Sequence, residues 1–284
     1  MTTQAAAPAY RMRGPSAFGG GWRRFLHLAV MLARTDFKTR FYGSVLGYLW
    51  TLFRPLALFG VLYAVFSIVF DVGDSVDHYP LLLLSGMVLF WFVSETTGTA
   101  VTSLVQNDNL VRKIQFPRVA LPLSVLLTGL FDLVMNMVVV FIFMAASGIE
   151  VRLTWLELPL LLGVLAAFAL GLSMIVSALY VFARDIEPIW GVVTQAFFYA
   201  TPVLYPIDLL KAENEGLAEI AMYNPVAMVI QQFRYALIDS DAQSAGEAMG
   251  AQWKLVIPLG IVAGTLIFGI WLYNRLAPRI AEEL

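Results

Sequence analysis

With 284 residues, 60% hydrophobic side chains, a mean hydropathy of +0.77 and only 13% charged residues, the chain is too apolar for a water-soluble domain. Such domains carry about 25% charged and ~45–50% apolar residues. The formal net charge of −2 leaves no footprint for nucleic acid. The absence of cysteine removes disulfides, thiolate metal sites and cysteine nucleophiles. The two histidines, His27 and His78, fall in separate polar segments, so a metal site is not expected. Composition points to a polytopic membrane protein, and its apolar runs of about 20 residues to an all-α integral fold.

In chain order, residues 1–21 are rich in Ala, Pro and Gly and read as a flexible cytoplasmic tail; without an apolar core they do not resemble a cleaved signal. Residues 22–42 alternate Phe25, Leu26, Val30 and Phe37 with Arg23, Arg24, Arg34, Lys38 and Arg40. That stretch is too charged to span and predicts an amphipathic helix lying in the membrane interface. The remainder, 43–284, forms a six-span transmembrane domain. A crossing helix needs about 20 mostly apolar residues. Six stretches qualify, near 45–70, 79–105, 119–147, 156–183, 188–205 and 253–277, with Pro202 expected to kink the fifth.

Fourteen of the eighteen Lys and Arg residues fall on one side of this six-span arrangement, which places both termini in the cytoplasm. The outer side holds Arg152, Lys211, Arg234 and Lys254 and most of the acids. About 45 residues separate the fifth and sixth spans, more than a connector needs. Within them Asn224-Pro225 reads as an N-cap followed by proline in the first turn. Val226, Val229, Ile230, Phe233 and Leu237 then recur at helical spacing up to Ile238. This run is too short to cross and too apolar to float. It is either a re-entrant helix or a helix packed on the outer rim.

No nucleotide-binding P-loop, zinc-protease or serine-hydrolase signature occurs, so no catalytic residue is assigned. Two acids lie inside spans, Glu95 in the second and Asp132 in the third, with Asn136 one turn beyond the latter. Intramembrane acids ask for a functional explanation; polar packing between helices is the simpler alternative. Gly43–Gly47 and Gly260–Gly264 have the small-residue spacing that allows close helix approach.

Several segments together carry a resemblance: Arg34-Thr-Asp-Phe-Lys-Thr-Arg40 leading into Phe53-Arg54-Pro55; Asn107-Asp-Asn-Leu-Val-Arg-Lys-Ile-Gln-Phe-Pro-Arg118; Tyr180-Val-Phe-Ala-Arg-Asp-Ile186; Phe198-Tyr-Ala-Thr-Pro-Val-Leu-Tyr-Pro206; and Tyr223-Asn224-Pro225. Their order resembles the membrane subunits of type-2 ABC exporters that move lipid-linked polysaccharides such as O-antigens and teichoic acids across the bacterial cytoplasmic membrane. The resemblance covers nearly everything after Trp22. It implies a second copy of the chain and two separate nucleotide-binding subunits, with ATP and Mg on those partners and no cofactor here. A drug or small-lipid exporter permease is the alternative.

The resemblance also implies site roles. A coupling helix would dock on the ATPase through Asn109, Leu110, Val111, Arg112, Lys113, Ile114, Phe116 and Arg118, with Arg184 and Asp185 as a second contact. Without the family, the basic residues among these only obey the positive-inside bias, and Arg184 with Asp185 reads as a local ion pair. Arg40, Tyr42 and Arg54 sit where a polyprenyl diphosphate head would arrive, since the guanidinium fork suits phosphate. Tyr48, Trp50, Phe53, Tyr63 and Phe66, then Phe197, Phe198, Tyr199 and Tyr205, would line a conduit in which rings slide over sugar C–H faces. Aromatic belts at the membrane surfaces are the competing explanation.

Overall fold

A computed structural model describes residues 22–40, 47, 49–69, 76–111, 117–239 and 241–283, the side chains of Trp22, Arg24, Arg40, Ala277, Pro278 and residues 281–283 excepted. The tail expected over 1–21 lies outside them. Every regular element among the described residues is helical.

The first helix, α1 (Trp22–Arg40), turns Phe25, Ala29 and Ala33 inward at four-residue spacing. Leu28, Leu32 and Phe37 are half-buried, and Leu26, Val30 and Met31 stay exposed. Next comes α2 (Leu49–Ala64), extended by a π-turn over Val65–Val69. It is followed by α3 (Tyr79–Gln106), the short α4 (Asp108–Val111) and α5 (Ala120–Ala146). A Schellman turn ends α5. Gly148, at φ 73°, lets the Ile149 N–H reach the Met144 carbonyl at 3.1 Å. A 3₁₀ turn over Leu153–Glu157 then opens α6 (Leu158–Phe182).

Five described stretches are long and apolar enough to cross a membrane: Leu49–Val69, Tyr79–Gln106, Ala120–Ala146, Leu153–Phe182 and Gln252–Leu276. They match the first, second, third, fourth and sixth expected spans, and the chain is a multi-pass membrane protein. The expected fifth span differs. Its helix, α7 (Ile186–Ala200), has 15 residues. At 1.5 Å per residue it is roughly 22 Å long, short of a ~30 Å hydrocarbon core. Pro202 does not kink this helix but ends it. The residue before proline is forced out of the helical region, and Thr201 sits at φ −93°, ψ 135°.

The outer segment folds as α8 (Ile207–Glu213), α9 (Glu215–Met222) and α10 (Pro225–Phe233). Asn224 caps α10, its side-chain oxygen accepting from the Val226 N–H at 2.9 Å, and a π-turn over Arg234–Ile238 extends it. Nearly every residue from Pro225 to Ile238 is buried against α3, α6 and the last helix, so the run is packed within the bundle. The chain closes with α11 (Ala245–Ala248), a 3₁₀ turn over Gln252–Leu255 and α12 (Val256–Glu283).

Among the crossing helices, α3 is the most enclosed and α2 the least, with Phe59 as its buried residue. Because lipid is as apolar as Leu, close packing rather than water exclusion holds such helices together. The α6–α12 crossing is tight. A Cβ on Gly171 would meet the Leu266 backbone nitrogen at 2.8 Å, and one on Gly269 would meet the Gly171 carbonyl at 2.7 Å. Gly260 and Gly264, which looked like a packing motif, face open space within this chain, and Gly43 lies outside the described residues.

Candidate functional site

Polar residues recur along one face of α3, at Glu95, Thr96, Thr99 and Ser103, and along one face of α5, at Thr128, Asp132 and Asn136. Both sets follow helical spacing. The fold turns these faces toward each other and toward the first turns of α2, enclosing a cavity of about 810 Å³. Asp36 and Thr39 of α1 reach its edge, and Trp50, Arg54 and Trp91 complete the wall. Glu95, Thr99 and Arg54 are exposed to this space, whereas Thr96 and Thr128 are buried. The Thr96 side chain is 3% exposed, and its hydroxyl has no hydrogen-bond partner. Glu95 and Asp132, two acids read separately along the chain, share one site.

Backbone chemistry explains part of this wall. Pro55 lies inside α2 and has no N–H to donate to the Thr51 carbonyl one turn back. Asn136 points its amide at that carbonyl, at a long 3.4 Å, while donating to the Asp132 carbonyl at 2.8 Å. Gly129 lets α5 approach α3 here; a Cβ on it would collide with the Thr96 hydroxyl.

A second polar focus closes the other end. Arg234 is 2% exposed, and its guanidinium donates to the carbonyls of Val203 at 3.0 Å, Tyr205 at 3.3 Å and Leu82 at 3.4 Å. Burial lowers this guanidinium to about 9, so it remains charged at neutral pH. Gly86 makes room for it: a Cβ there would stand 3.2 Å from both the Arg234 Nη2 and the Val203 carbonyl. The Tyr79 hydroxyl donates to the Leu204 carbonyl at 2.9 Å, and the Asn224 amide to the Thr201 hydroxyl at 2.8 Å. The non-helical stretch 201–205 is thus pinned by three side chains, from α3 and from the two ends of α10 with its π-turn. Arg234 had been counted only as an outer basic residue, and a single basic residue in an apolar helical run is the signal that could have marked it.

Of the residues expected to meet an ATPase, Arg112, Lys113, Ile114 and Phe116 lie outside the described residues. Asn109 is exposed on α4 and Leu110 is half-buried. Val111 is fully buried with Phe25, Leu104, Val119 and Ala120, so it anchors α4 to its own chain instead of presenting itself. Arg118 is likewise 4% exposed, and its carbonyl accepts from the Tyr273 hydroxyl at 2.9 Å. This burial has a packing cause: α1, α4 and the end of α12 converge there on the start of α5. Arg184 and Asp185 are exposed in the turn before α7. The Arg184 guanidinium lies 4.9 Å above the Tyr180 ring.

Of the expected lipid-head contacts, Arg54 is exposed on α2, the Arg40 side chain is not described, and Tyr42 lies outside the described residues, as does Tyr48 of the aromatic set. The remaining aromatics divide. Trp50, Phe53 and Tyr199 are exposed, Trp50 and Phe53 edge-to-face at 5.5 Å. Tyr63 stacks between Phe59 and Tyr79, Phe197 and Phe198 pack on Phe90 of α3, and Phe66 and Tyr205 lean on the same core. The fold does not gather all of them onto one surface. Among the described residues no group of His, Asp and Glu could hold a metal ion.

Comparison with known proteins places this architecture. The profile of the ABC-2 type transporter family matches residues 27–238, from within α1 to the end of the π-turn after α10. An O-antigen export system permease protein RfbA of Klebsiella pneumoniae is 31% identical over 261 residues, covering 90% of this chain and 95% of the relative. The protein of the same name from Myxococcus xanthus is 26% identical over 73% of this chain and 78% of its own length. The polysialic acid transport protein KpsM of Escherichia coli is 20% identical over 72% and 78% respectively. The chain belongs to the ABC-2 type transporter family.

Proposed function

We propose that this chain is the membrane-spanning subunit of an ATP-driven exporter that carries a lipid-linked polysaccharide across the bacterial cytoplasmic membrane. The observation that carries this reading is the end-to-end likeness to O-antigen export permeases, which extends through the buried outer segment as well as the spans. Membership of the family supports a separate ATPase partner, which would bring ATP and Mg. A second copy of the chain would complete the conduit, with both termini in the cytoplasm and α7 plus the stretch 201–205 making the remaining crossing.

In this reading α1 lies in the inner interface, its exposed Leu26, Val30 and Met31 meeting lipid while Arg23, Arg34 and Lys38 on the same face snorkel to the headgroups. Arg40, Tyr42 and Arg54 receive the diphosphate head. The ATPase docks on Asn109 and residues 112–116, with Arg184 and Asp185 as a second contact. Because Phe25, Val111, Val119 and Tyr273 pack in one cluster, a push on that region would move α1, α5 and α12 together. The exposed rings of Trp50, Phe53 and Tyr199 are the conduit surface a sugar chain would slide over.

The test is reconstitution. The purified chain alone should hydrolyse no ATP. Co-expressed with its ATPase it should co-purify as a complex whose hydrolysis rises when lipid-linked glycan is added. Stimulation by apolar drugs or phospholipids, with none by the glycan, would transfer the reading to small-lipid or drug export.

A further inference from the structure

The cavity between α2, α3 and α5 carries chemistry that sliding aromatics and a phosphate-binding entrance do not use. We propose that it is a sugar-binding site, gripping a hydroxyl-rich stretch of the transported glycan and leaving the anionic lipid end to Arg54 at its exposed rim. This rests on the glycan-export reading and adds which part of the substrate is held and by which side chains.

Four features converge. The cavity's volume of about 810 Å³ falls within the ~300–1,000 Å³ typical of built small-molecule sites. Its side chains are those that recognise sugars: the Glu95 carboxylate can bridge neighbouring hydroxyls, an Asp132 carboxylate oxygen and the Asn136 amide oxygen can each accept from another, and the indoles of Trp50 and Trp91 offer flat apolar faces to ring C–H groups. The Thr96 hydroxyl is buried, borders the cavity and makes no hydrogen bond, an unmade bond that an incoming hydroxyl would supply. Finally, Asp36, Glu95 and Asp132 all line the cavity, so the hydroxyl donors of a sugar find several acceptors there.

The geometry also explains a glycine. Gly129 leaves the Thr96 hydroxyl its place between α3 and α5, because a Cβ there would occupy it. An alanine at 129 should therefore close the floor of the site without changing its charge.

The experiment uses the full chain co-expressed with its ATPase in cells that make and export the glycan. A benzophenone amino acid is placed at Ser94, a lining position the proposal does not use, or at Val134, an exposed α5 position that is not part of the lining. After irradiation the purified chain is probed with a lectin or antiserum against that glycan. The expected result is a glycan-bearing adduct from Ser94, none from Val134, and several-fold loss of the adduct in the Glu95→Gln/Asp132→Asn double variant and in Gly129→Ala. Membrane level and ATPase co-purification confirm that each variant is assembled. Continued surface glycan without any Ser94 adduct would overturn the site while leaving the exporter reading intact. An adduct kept or strengthened by the double amide variant would assign the cavity to the anionic end and overturn the sugar assignment. Cross-linking of Ser94 to a second copy of the chain would show that protein fills the cavity, and would overturn it as well.

Discussion

Replacing Arg234 with methionine should loosen the outer end of the bundle more than any surface change of similar size. The side chain's volume is nearly kept, so the loss is one of hydrogen bonds. The bond to Val203 at 3.0 Å is of good length, those to Tyr205 and Leu82 at 3.3 and 3.4 Å are long, and Leu82 lies within a helix that already uses its carbonyl. A charged hydrogen bond contributes about 1.5–3 kcal/mol, and a buried carbonyl left unmet costs ~1–3 kcal/mol. Against this, methionine removes the cost of burying a charge, which is large enough here to lower the guanidinium to about 9. The balance is a net destabilisation of ~2–4 kcal/mol, concentrated at residues 201–205. Lysine, a point charge unable to reach three carbonyls, should recover only part of it. Thermal unfolding of the detergent-solubilised chain measures the loss, and limited proteolysis near Thr201 locates it. An Arg234→Met variant that melts with the wild type and resists cleavage equally would refute the pinning described here.

Gly171→Leu should separate α6 from α12, because its side chain would run into the Leu266 and Thr265 backbone; the expected cost is ~1–3 kcal/mol or misassembly, read as a lower melting temperature, whereas Gly260→Leu should be tolerated by the isolated chain. Hydrogen bonds from Lys254 and Tyr223 hold the Glu219 carboxyl below its ordinary value. Its contribution is therefore complete above the unfolded carboxylate value and lost as pH falls through the folded one, so the melting difference between wild type and Glu219→Gln should shrink on acidification below about pH 4.5. Reversing Arg112 and Lys113 together to Glu should reduce ATPase co-purification while membrane level and orientation stay normal; undiminished co-purification and export would remove those residues from the docking surface.

What was legible in the sequence was local. Helix ends, the Asn224-Pro225 cap and the apolar runs are set by neighbours along the chain, and the structure places them within a few residues of expectation. Thr201-Pro202 was also local and was misread: a kink was expected where the rule for residues preceding proline gives a stop. The rest depends on which faces meet. Glu95 and Asp132 sit on different helices, and only packing shows that they share a cavity. Gly171 and Gly269 are far apart in sequence, so the contact they form was invisible, while the conspicuous Gly260–Gly264 pair faces outward. Arg118 and Arg234 were read as topology markers because charge ordinarily reports exposure; both are buried where several helices converge on backbone carbonyls.

The most direct test of the central claim is the location of the glycan in cells lacking this chain. Deleting its gene should strip the polysaccharide from the cell surface while the lipid-linked polymer accumulates inside. Reintroducing the chain together with its ATPase, but not the chain alone in cells lacking that ATPase, should restore the surface polymer. Surface polysaccharide at the wild-type level in the deletion strain, with no internal accumulation, would contradict the account.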